Sequence, residues 1–449
     1  MKGDMIDKMP ISALAVGANL LGLKYRLYRY SGSMRGILNE WRSLEGISAD
    51  EMHSRQVTTL KGLLRRAAKS PFYKQRFRDA DFEPEAFCCL EDLQAIPTLT
   101  RDDIRDNFDR MIVPGAEEPV VTRKSSGTTG EPIVFQQPRK LVYDYAYAAL
   151  YQAYAWHGVA PLARRASLAG RYLGRHPQGV IIRNLFENQL LLGVHALRQE
   201  NARRYLEALR QFKPQILQAH PSAMILLRDF ASSEGLDPVK IPVIAFTGEH
   251  LPDEERRKLA DWFQADVFGQ YGSGEHHIAS AECRQLNGYH INPEFSFCEV
   301  VQTEIGGEIV STSLLNGVMP LIRYRIGDMA DRIDTTPCPC GCSWPRLMGL
   351  QGRADDALLT ARGRVVAPVV LRTGLAAHFK GLPPFAIIQH KQAGTYTLKL
   401  FTRRSREEFA QVATYLSEIL GPDVHVALAI VPPDDQFTAR GKRKMVVRE

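Results

Sequence analysis

The clearest strand signal in the sequence is Ile241-Pro-Val-Ile-Ala-Phe246, a short apolar run bounded by polar residues. Similar short runs follow at Asp266-Val-Phe268 and Glu308-Ile-Val310, and helical or polar stretches separate them. Short apolar strands that alternate with helices are typical of α/β proteins. The segment from Gln215 to Asp328 therefore predicts an α/β fold with mixed β-sheets.

The segment before this region is predicted to be largely helical. Residues 48–87 carry apolar side chains at helical spacing, and Thr100 followed by acidic residues predicts the start of another helix. Further along, a helical face is formed by Tyr143, Tyr147, Tyr151 and Tyr154. Core packing is the default interpretation of these tyrosines, and an aromatic substrate pocket is the alternative.

The chain changes character after Gly352. A strand is predicted at Thr395-Tyr-Thr-Leu-Lys-Leu400, a helix from Ser405 to Leu420, and a further strand at 424–431. These elements suggest a compact α+β unit. The sequence thus predicts a basic N-terminal arm at residues 1–47, a large domain at 48–353 and a small domain at 354–449.

Composition and charge restrict the functional classes. The 449 residues are 45% hydrophobic and 24% charged, which is typical of a globular protein and excludes disordered, collagen-like and disulfide-rich classes. The formal net charge is +7, and residues 1–78 alone carry fifteen basic and six acidic residues. A solvated helical face is the default interpretation of this basic arm, and contact with an anionic membrane surface is the alternative. Nucleic acid is not expected as a partner.

No apolar run approaches the roughly 18 residues that a membrane-spanning helix requires. The nearest candidate, Ile11 to Leu23, is interrupted by polar residues and glycines and is followed by basic and aromatic residues rather than a cleavage site. It is predicted to be a helix that packs on the protein or lies at a membrane interface. The seven cysteines are odd in number and clustered, which favours reduced thiols or metal ligands. We therefore predict a cytoplasmic protein, with attachment to the inner face of the membrane as the alternative.

A loop rich in small and hydroxyl-bearing residues follows the predicted strand at 120–122. Its residues are Ser125, Ser126, Gly127, Thr128, Thr129 and Gly130. Glycines let backbone N–H groups approach phosphate oxygens, and the hydroxyls add neutral donors. The order of residues is not that of a Walker loop, and in isolation such a segment is usually only a turn.

Four later segments strengthen the phosphate-binding interpretation. They are Tyr271-Gly-Ser-Gly-Glu275, Tyr324-Arg-Ile-Gly-Asp328, Gly352-Arg-Ala-Asp-Asp356 and Gly441-Lys442. Together with the loop, and in this order, they resemble the motifs of the acyl-adenylate-forming superfamily. Ile96-Pro-Thr-Leu-Thr100 and Cys338-Pro-Cys-Gly341 are similar to the phenylacetate-CoA ligase branch. That branch includes ligases of capsular-polysaccharide clusters and deazaflavin-coenzyme synthetases.

The resemblance runs from about Ser48 to the end of the chain and has consequences for fold and activity. It implies a large N-terminal adenylate-forming domain of mixed β-sheets and helices with a small mobile α+β C-terminal domain. It further implies ATP- and Mg²⁺-dependent adenylation of an aromatic or small organic acid, followed by thioester formation with coenzyme A. The alternatives are transfer of the acyl group to an amine or carrier protein, transfer of AMP to a hydroxyl, and a catalytically weak nucleotide-binding protein. A homodimer is the alternative to a monomer.

The same resemblance implies roles for individual residues. The loop at 125–130 would hold the β- and γ-phosphates of ATP, and Glu275 would bind Mg²⁺. Tyr271 would stack on the adenine beside Gly248 and Glu249, and the Asp328 carboxylate would accept hydrogen bonds from the ribose hydroxyls. Arg353 would contact the nucleotide at the domain junction, and Asp355 would act as the hinge. Lys442 would contact the α-phosphate and the attacking carboxylate, with Lys444 as the competing candidate for that role.

Two residues depart from the family pattern. Glu131 stands where many relatives have Lys, and Gly274 stands where Thr or Ser is preferred.

The metal ligands are predicted to be Cys283, His290, Cys338 and Cys340, a set that suits a closed structural zinc site. Without the resemblance, scattered reduced cysteines would be the better interpretation. Cys342 is an alternative ligand, whereas His276 and His277 are interpreted as exposed or pocket-lining residues.

The acid pocket is expected to be built from three segments: the helix from Tyr143 to Trp156, the turn Gln218-Ala-His-Pro221 and the residues before Tyr271. Within the turn, His220 is either a pocket residue or an ordinary turn histidine.

Overall fold

The structure is a computed structural model that describes residues 2–116, 118–124, 133–169, 172–304, 306–353, 358–359, 365–366, 371, 375, 379, 381–420, 424–433 and 445–449. Three predicted functional features lie outside these residues: the loop at 125–130, the hinge candidate Asp355 and the catalytic candidate Lys442. For Arg353 the backbone is described, but not the side chain.

Within the described residues, the α-helices are α1 (Lys2–Lys8), α2 (Ile11–Arg29), α3 (Gly32–Ser43), α4 (Ala49–Ala67), α5 (Pro71–Asp79), α6 (Arg101–Asp106), α7 (Phe108–Met111), α8 (Ala146–Trp156), α9 (Ala202–Phe212), α10 (Pro221–Ser233), α11 (Asp253–Phe263) and α12 (Ala410–Leu420). The helix start predicted at Thr100 is confirmed, because the Thr100 hydroxyl accepts a hydrogen bond from the Asp103 amide at 3.1 Å and the Asp103 carboxylate accepts one from the Thr100 amide at 2.8 Å.

The strands of the described residues are β1 (Val120–Lys124), β2 (Val134–Pro138), β3 (Arg165–Leu168), β4 (Ile181–Asn184), β5 (Gln189–Leu192), β6 (Ile216–Ala219), β7 (Val243–Thr247), β8 (Asp266–Gly272), β9 (Ala279–Glu282), β10 (Tyr289–Ile291), β11 (Ser296–Thr303), β12 (Gly306–Ser313), β13 (Tyr324–Met329), β14 (Arg332–Asp334), β15 (Arg346–Met348), β16 (Gly352–Arg353), β17 (Leu358–Leu359), β18 (Val365–Val366), β19 (Phe385–Gln389), β20 (Thr395–Phe401), β21 (His425–Val431) and β22 (Val446–Arg448).

A ten-stranded mixed sheet forms the centre of the large domain, with the strand order β14-β15-β10-β9-β8-β7-β6-β3-β5-β4. Its middle strands β5, β3, β6, β7 and β8 run parallel, and the strands on both flanks are antiparallel to their neighbours. Helices α9, α10 and α11 bury their apolar faces in one core cluster, and α3 and α8 bury theirs in another. Burial on both faces explains why β7 is almost continuously apolar.

Smaller sheets complete the architecture. Strands β11, β12, β13 and β16 form an antiparallel sheet, β1 pairs with β2, and β17 pairs with β18. In the C-terminal segment, strands β21, β20, β19 and β22 form a four-stranded sheet that shares a separate core with α12. The predicted fold class is confirmed: a mixed α/β domain is followed by a small α+β unit. The domain limits at 47 and 353 stay predictions.

Candidate active site

The parallel strands bring the predicted nucleotide-binding residues to one edge of the large sheet. β7 ends just before Gly248, β8 ends at Tyr271 and Gly272, and the two strands are hydrogen-bonded neighbours. The Tyr271 hydroxyl donates a 2.8 Å hydrogen bond to Oδ2 of Asp328, which is 57 residues away in β13. The Asp328 backbone in turn pairs with Arg353 in β16. Ligands of open α/β sheets bind at such carboxyl ends.

Glu249 has a structural partner that the sequence did not indicate. One carboxylate oxygen accepts a hydrogen bond from the Ser222 amide at 2.9 Å, and the other accepts one from the Ser222 hydroxyl at 2.8 Å. Ser222 is in the first turn of α10, so the carboxylate caps that helix and complements its dipole. Gly248, with φ of 81°, makes the turn that brings Glu249 there.

Glu275, the predicted Mg²⁺ ligand, is 7% exposed and lies in the turn between β8 and β9. Its Oε1 is 3.7 Å from the guanidinium of Arg101, the first residue of α6. Gln137 donates a hydrogen bond to the Glu275 backbone carbonyl. Arg101 thus supplies a positive charge at the predicted metal position, and no motif singled it out.

The two histidines after Glu275 have different surroundings. His276 adopts a left-handed backbone conformation, and its Nδ1 is 3.3 Å from Oε1 of Gln137. His277 is fully buried, with its ring edge-on to Tyr324 at 5.0 Å between centroids. Burial lowers the pKa of each imidazole to about 3. Both rings are therefore neutral at physiological pH.

A cavity of about 280 Å³ extends from Tyr271 into the domain. Its lining includes residues of α8, Gln218 and Gln270, which belong to the segments predicted to form the acid pocket. Several residues after Tyr271, between Gly272 and Ala281, also line it and were not predicted. The lining includes several aromatic side chains: Tyr147, Trp156, Tyr271, Phe295 and Trp344. His220 does not line it: the ring is buried with Nδ1 2.9 Å from the Thr247 carbonyl oxygen, as in a turn histidine.

The polar groups at the inner end of the cavity are held by Glu45, which follows α3. Its Oε1 accepts hydrogen bonds from Nε2 of Gln152 and Nε1 of Trp156, both at 3.0 Å. Asn292 donates to Oε1 of Gln152 at 3.2 Å. A residue of the predicted N-terminal arm therefore orders the wall of this cavity.

The four predicted zinc ligands converge at the other end of β9. The ligand atoms of Cys283, His290, Cys338 and Cys340 all lie within 4.8 Å of one another. Sγ of Cys283 is 3.8 Å from Sγ of Cys338, and Sγ of Cys340 is 3.4 Å from Nε2 of His290. A tetrahedral zinc site with Zn–S bonds of about 2.3 Å requires sulfur–sulfur distances of about 3.8 Å. The arrangement fits that ion.

The surroundings of His290 prepare it for metal binding. Its Nδ1 lies 3.2 Å from the Trp344 carbonyl oxygen, so Nδ1 carries the proton and Nε2 presents its lone pair to the thiols. Burial lowers the His290 pKa to about 4 and raises that of the Cys283 thiol to about 12. Without a cation the Cys283 thiol is therefore protonated, and metal binding must release protons.

Cys342, the alternative ligand, takes a different place. It is buried in the apolar core that includes Trp344, and burial raises the pKa of its thiol well above the usual value. Only its backbone amide approaches the cluster, 3.4 Å from Sγ of Cys340.

Comparison with known proteins places this geometry in context. No protein-family model matches the chain. A phenylacetate-coenzyme A ligase of Pseudomonas putida is 28% identical over 349 residues, covering 72% of this chain and 75% of that protein. One of Thermus thermophilus is 26% identical over 406 residues, covering 85% and 87%. The structure of 2-hydroxyisobutyryl-CoA ligase with R3-HIB-AMP, in the postadenylation state, matches with a TM-score of 0.69 at 20% identity, covering 90% of this chain and 91% of that one.

The fold is that of the solved 2-hydroxyisobutyryl-CoA ligase structure. In sequence, the chain is similar over most of its length to phenylacetate-CoA ligases. The resemblance inferred from the ordered motifs is thereby confirmed. The roles of the individual site residues remain predictions.

Proposed function

We propose that this protein is an ATP- and Mg²⁺-dependent acid–CoA ligase. The observation that carries the proposal is the hydrogen bond between Tyr271 and Asp328, two motif residues that meet at the carboxyl edge of the sheet. Relatedness to phenylacetate-coenzyme A ligases over most of the chain supports the same activity.

The proposed reaction has two steps. In the first, a carboxylate oxygen of the acid attacks the α-phosphorus of ATP, and pyrophosphate leaves with the electron pair of the broken P–O bond. In the second, the coenzyme A thiol loses its proton, its sulfur attacks the acyl carbon, and AMP leaves. Negative charge accumulates around phosphorus in the first step, so cationic and hydrogen-bonding groups there lower the barrier.

The described residues contribute binding and orientation to the first step. Asp328 would accept hydrogen bonds from the ribose hydroxyls, and its bond to Tyr271 orients both side chains. Glu275 would hold Mg²⁺ on the phosphates, and the guanidinium of Arg101 lies 3.7 Å from its carboxylate. We assign the loop at 125–130 to the phosphates, Arg353 to the nucleotide, Lys442 to the α-phosphate and Asp355 to the hinge, all as implied by the sequence motifs.

The cavity beside Tyr271 is proposed to bind the acid. Its aromatic side chains supply flat apolar surfaces, and its volume of about 280 Å³ suits a small organic or aryl acid. The ring of Trp156 is fixed by its bond to Glu45, so the pocket is ordered before the substrate enters.

We further propose that Cys283, His290, Cys338 and Cys340 bind a structural Zn²⁺. Four protein ligands leave no open coordination position, so the ion would stabilise the fold rather than take part in the reaction. The reduced thiols also support a cytoplasmic location. A homodimer stays a prediction.

The test is pyrophosphate release from Mg·ATP across a panel of aryl, alkyl and hydroxylated acids, with and without coenzyme A. We expect acid-dependent release that is lost in Lys442→Ala and retained in Lys444→Ala, and the reverse result would assign the role to Lys444. Acid-dependent release without an acyl-CoA product would retain the adenylation and replace coenzyme A by an amine, a carrier protein or a hydroxyl. Absence of release with every acid, although ATP binds, would contradict the ligase proposal.

A further inference from the structure

Helix α2 carries a row of large aliphatic side chains that point away from the protein. They are Val16, Leu20, Leu23 and Leu27, which are 61%, 65%, 43% and 68% exposed. Their spacing of four, three and four residues puts them on one face of the helix. We call this row the outer stripe. Scattered exposed leucines need no explanation, but a continuous apolar row on one helix face does.

The opposite face of α2 is attached to the protein body by specific contacts. It covers β4, the edge strand of the large sheet. Nδ2 of Asn19 donates to the Arg183 carbonyl at 2.9 Å, and Oδ1 of Asn19 accepts from the Leu185 amide at 2.9 Å. Covering an edge strand protects its free backbone groups. The outer stripe is therefore held outward by a docked helix.

The packing between α2 and β4 is close. A Cβ atom at Gly22 would collide with the side-chain amide of Asn184. Arg29, at the end of α2, forms a 3.0 Å ion pair with the fully buried carboxylate of Glu187. These contacts fix which face of α2 meets the solvent.

Two neighbouring side chains enlarge the apolar surface. Leu185 and Phe186, in the turn after β4, are 69% and 40% exposed. The Leu185 amide is the group that binds Asn19, so this turn lies directly beside α2. Within the described residues, no helix combines the length and hydropathy needed to cross a bilayer. A helix that lies parallel to the bilayer in the membrane–water interface is compatible with this surface.

The charged side chains of α2 itself have one sign. Lys24 and Arg26 are exposed and flank the stripe on either side at helical spacing. From Lys8 to Asn39 the sequence contains no acidic residue. A symmetric pairing of two copies through this face would bring like charges together without a counter-charge. The charge pattern favours an anionic lipid surface over a second copy of this chain.

We propose that α2 docks the protein onto an anionic lipid bilayer. The outer stripe, with Leu185 and Phe186, enters the boundary between head groups and acyl chains, and Lys24 and Arg26 contact the anionic head groups. Each basic residue near such a surface adds about 1 kcal/mol, which corresponds to a factor of about five in partitioning. The proposal goes beyond the ligase activity and does not depend on it.

The experiment is co-flotation of the full chain with vesicles of phosphatidylcholine mixed with phosphatidylglycerol, and with vesicles of phosphatidylcholine alone. We expect binding to the mixed vesicles that weakens as salt is raised. Leu20→Asn with Leu27→Asn is expected to lower partitioning at least about tenfold, and Lys24→Glu with Arg26→Glu at least about tenfold. The matched control is Leu286→Asn, which removes a 39% exposed leucine far from α2 in sequence and suits Asn because φ there is 51°.

Circular dichroism melting of each variant establishes that it is folded before its binding is compared. Equal flotation of the wild type and both double variants would overturn the proposal, as would equal binding to neutral and anionic vesicles. A lipid-free dimer in sedimentation velocity that Leu20→Asn with Leu27→Asn dissociates, with no vesicle binding, would replace the bilayer by a second copy.

Discussion

The hairpin of β8 and β9 carries different chemistry at its two ends. Near the turn, Oε1 of Glu275 is 3.7 Å from the guanidinium of Arg101, and the Tyr271 hydroxyl donates to the Asp328 carboxylate. At the other end, the ligand atoms of Cys283 and three further residues already lie within 4.8 Å of one another. Under the proposed roles, a substrate site must exchange its partners in every turnover, whereas a structural metal site is built once. The assembled donors at the thiol end fit the second role.

The largest effect is expected from Glu275→Gln at the turn. The amide keeps the shape of the side chain and removes the charge that would bind Mg²⁺, so pyrophosphate release should fall at least about 100-fold. Glu294→Gln is the matched control, since its carboxylate is likewise paired with an arginine, Arg55 at 2.8 Å, and has no predicted role in the site. Equal losses of pyrophosphate release in the two variants would refute a special role for Glu275. The two ends of the hairpin would then not differ in function.

The second largest effect concerns the thiol end. Cys340→Ser should lose bound zinc and lower Tm by at least about 5 °C, because metal binding contributes directly to folding. Cys342→Ser should keep full zinc content, since Cys342 lies in the apolar core and outside the ligand group of the described residues. Elemental analysis and thermal melting measure both. Zinc-free wild-type protein would contradict the metal site.

A smaller effect is expected from Asp328→Asn. This substitution tests nucleotide binding separately from metal binding. Asp328→Asn should raise KM for ATP by about 10- to 100-fold, because hydrogen bonds to a charged acceptor are worth about 1.5–3 kcal/mol. Tyr271→Phe removes the hydroxyl that orients the Asp328 carboxylate but keeps the carboxylate and the aromatic ring, so a smaller rise in KM of about threefold is expected. Initial rates at varied ATP provide both values. A fall in kcat without a change in KM in Asp328→Asn would assign the residue to chemistry instead of binding.

The smallest effect is a pH dependence of stability at the thiol end. Asp266, the first residue of β8, accepts a 2.6 Å hydrogen bond from Nδ1 of His157, which lowers the pKa of its carboxyl below 3.8. A depressed folded-state pKa stabilises the protein above the unfolded value, and this stability is lost as pH falls through the folded value. The carboxylate is partly exposed, so less than about 1 kcal/mol is at stake. Urea unfolding of wild type and Asp266→Asn should therefore converge below pH 3.8.

The opposite result of the unfolding measurement would contradict this prediction. A difference between wild type and Asp266→Asn that persists unchanged at low pH would show that the carboxylate charge contributes nothing to the pair.

Local signals in the sequence account for the elements and for the order of the motifs. The capping residues at Thr100 and the alternation at 395–400 act within one turn or one strand, so neighbouring residues suffice to predict α6 and β20. The ordered motifs likewise predicted the fold class and the relationship to phenylacetate-CoA ligases, both of which are confirmed.

Contacts between distant segments followed from packing alone. Arg101 reaches Glu275 across more than half the large domain in sequence, Glu249 caps α10 instead of standing free, and Glu45 orders the cavity wall. Each pairing depends on where helices settle on the sheet, which no local pattern encodes. The outer stripe likewise depends on both sequence and packing. The sequence of α2 determines the apolar periodicity, but the close approach of Gly22 to Asn184 determines which face of the helix meets water.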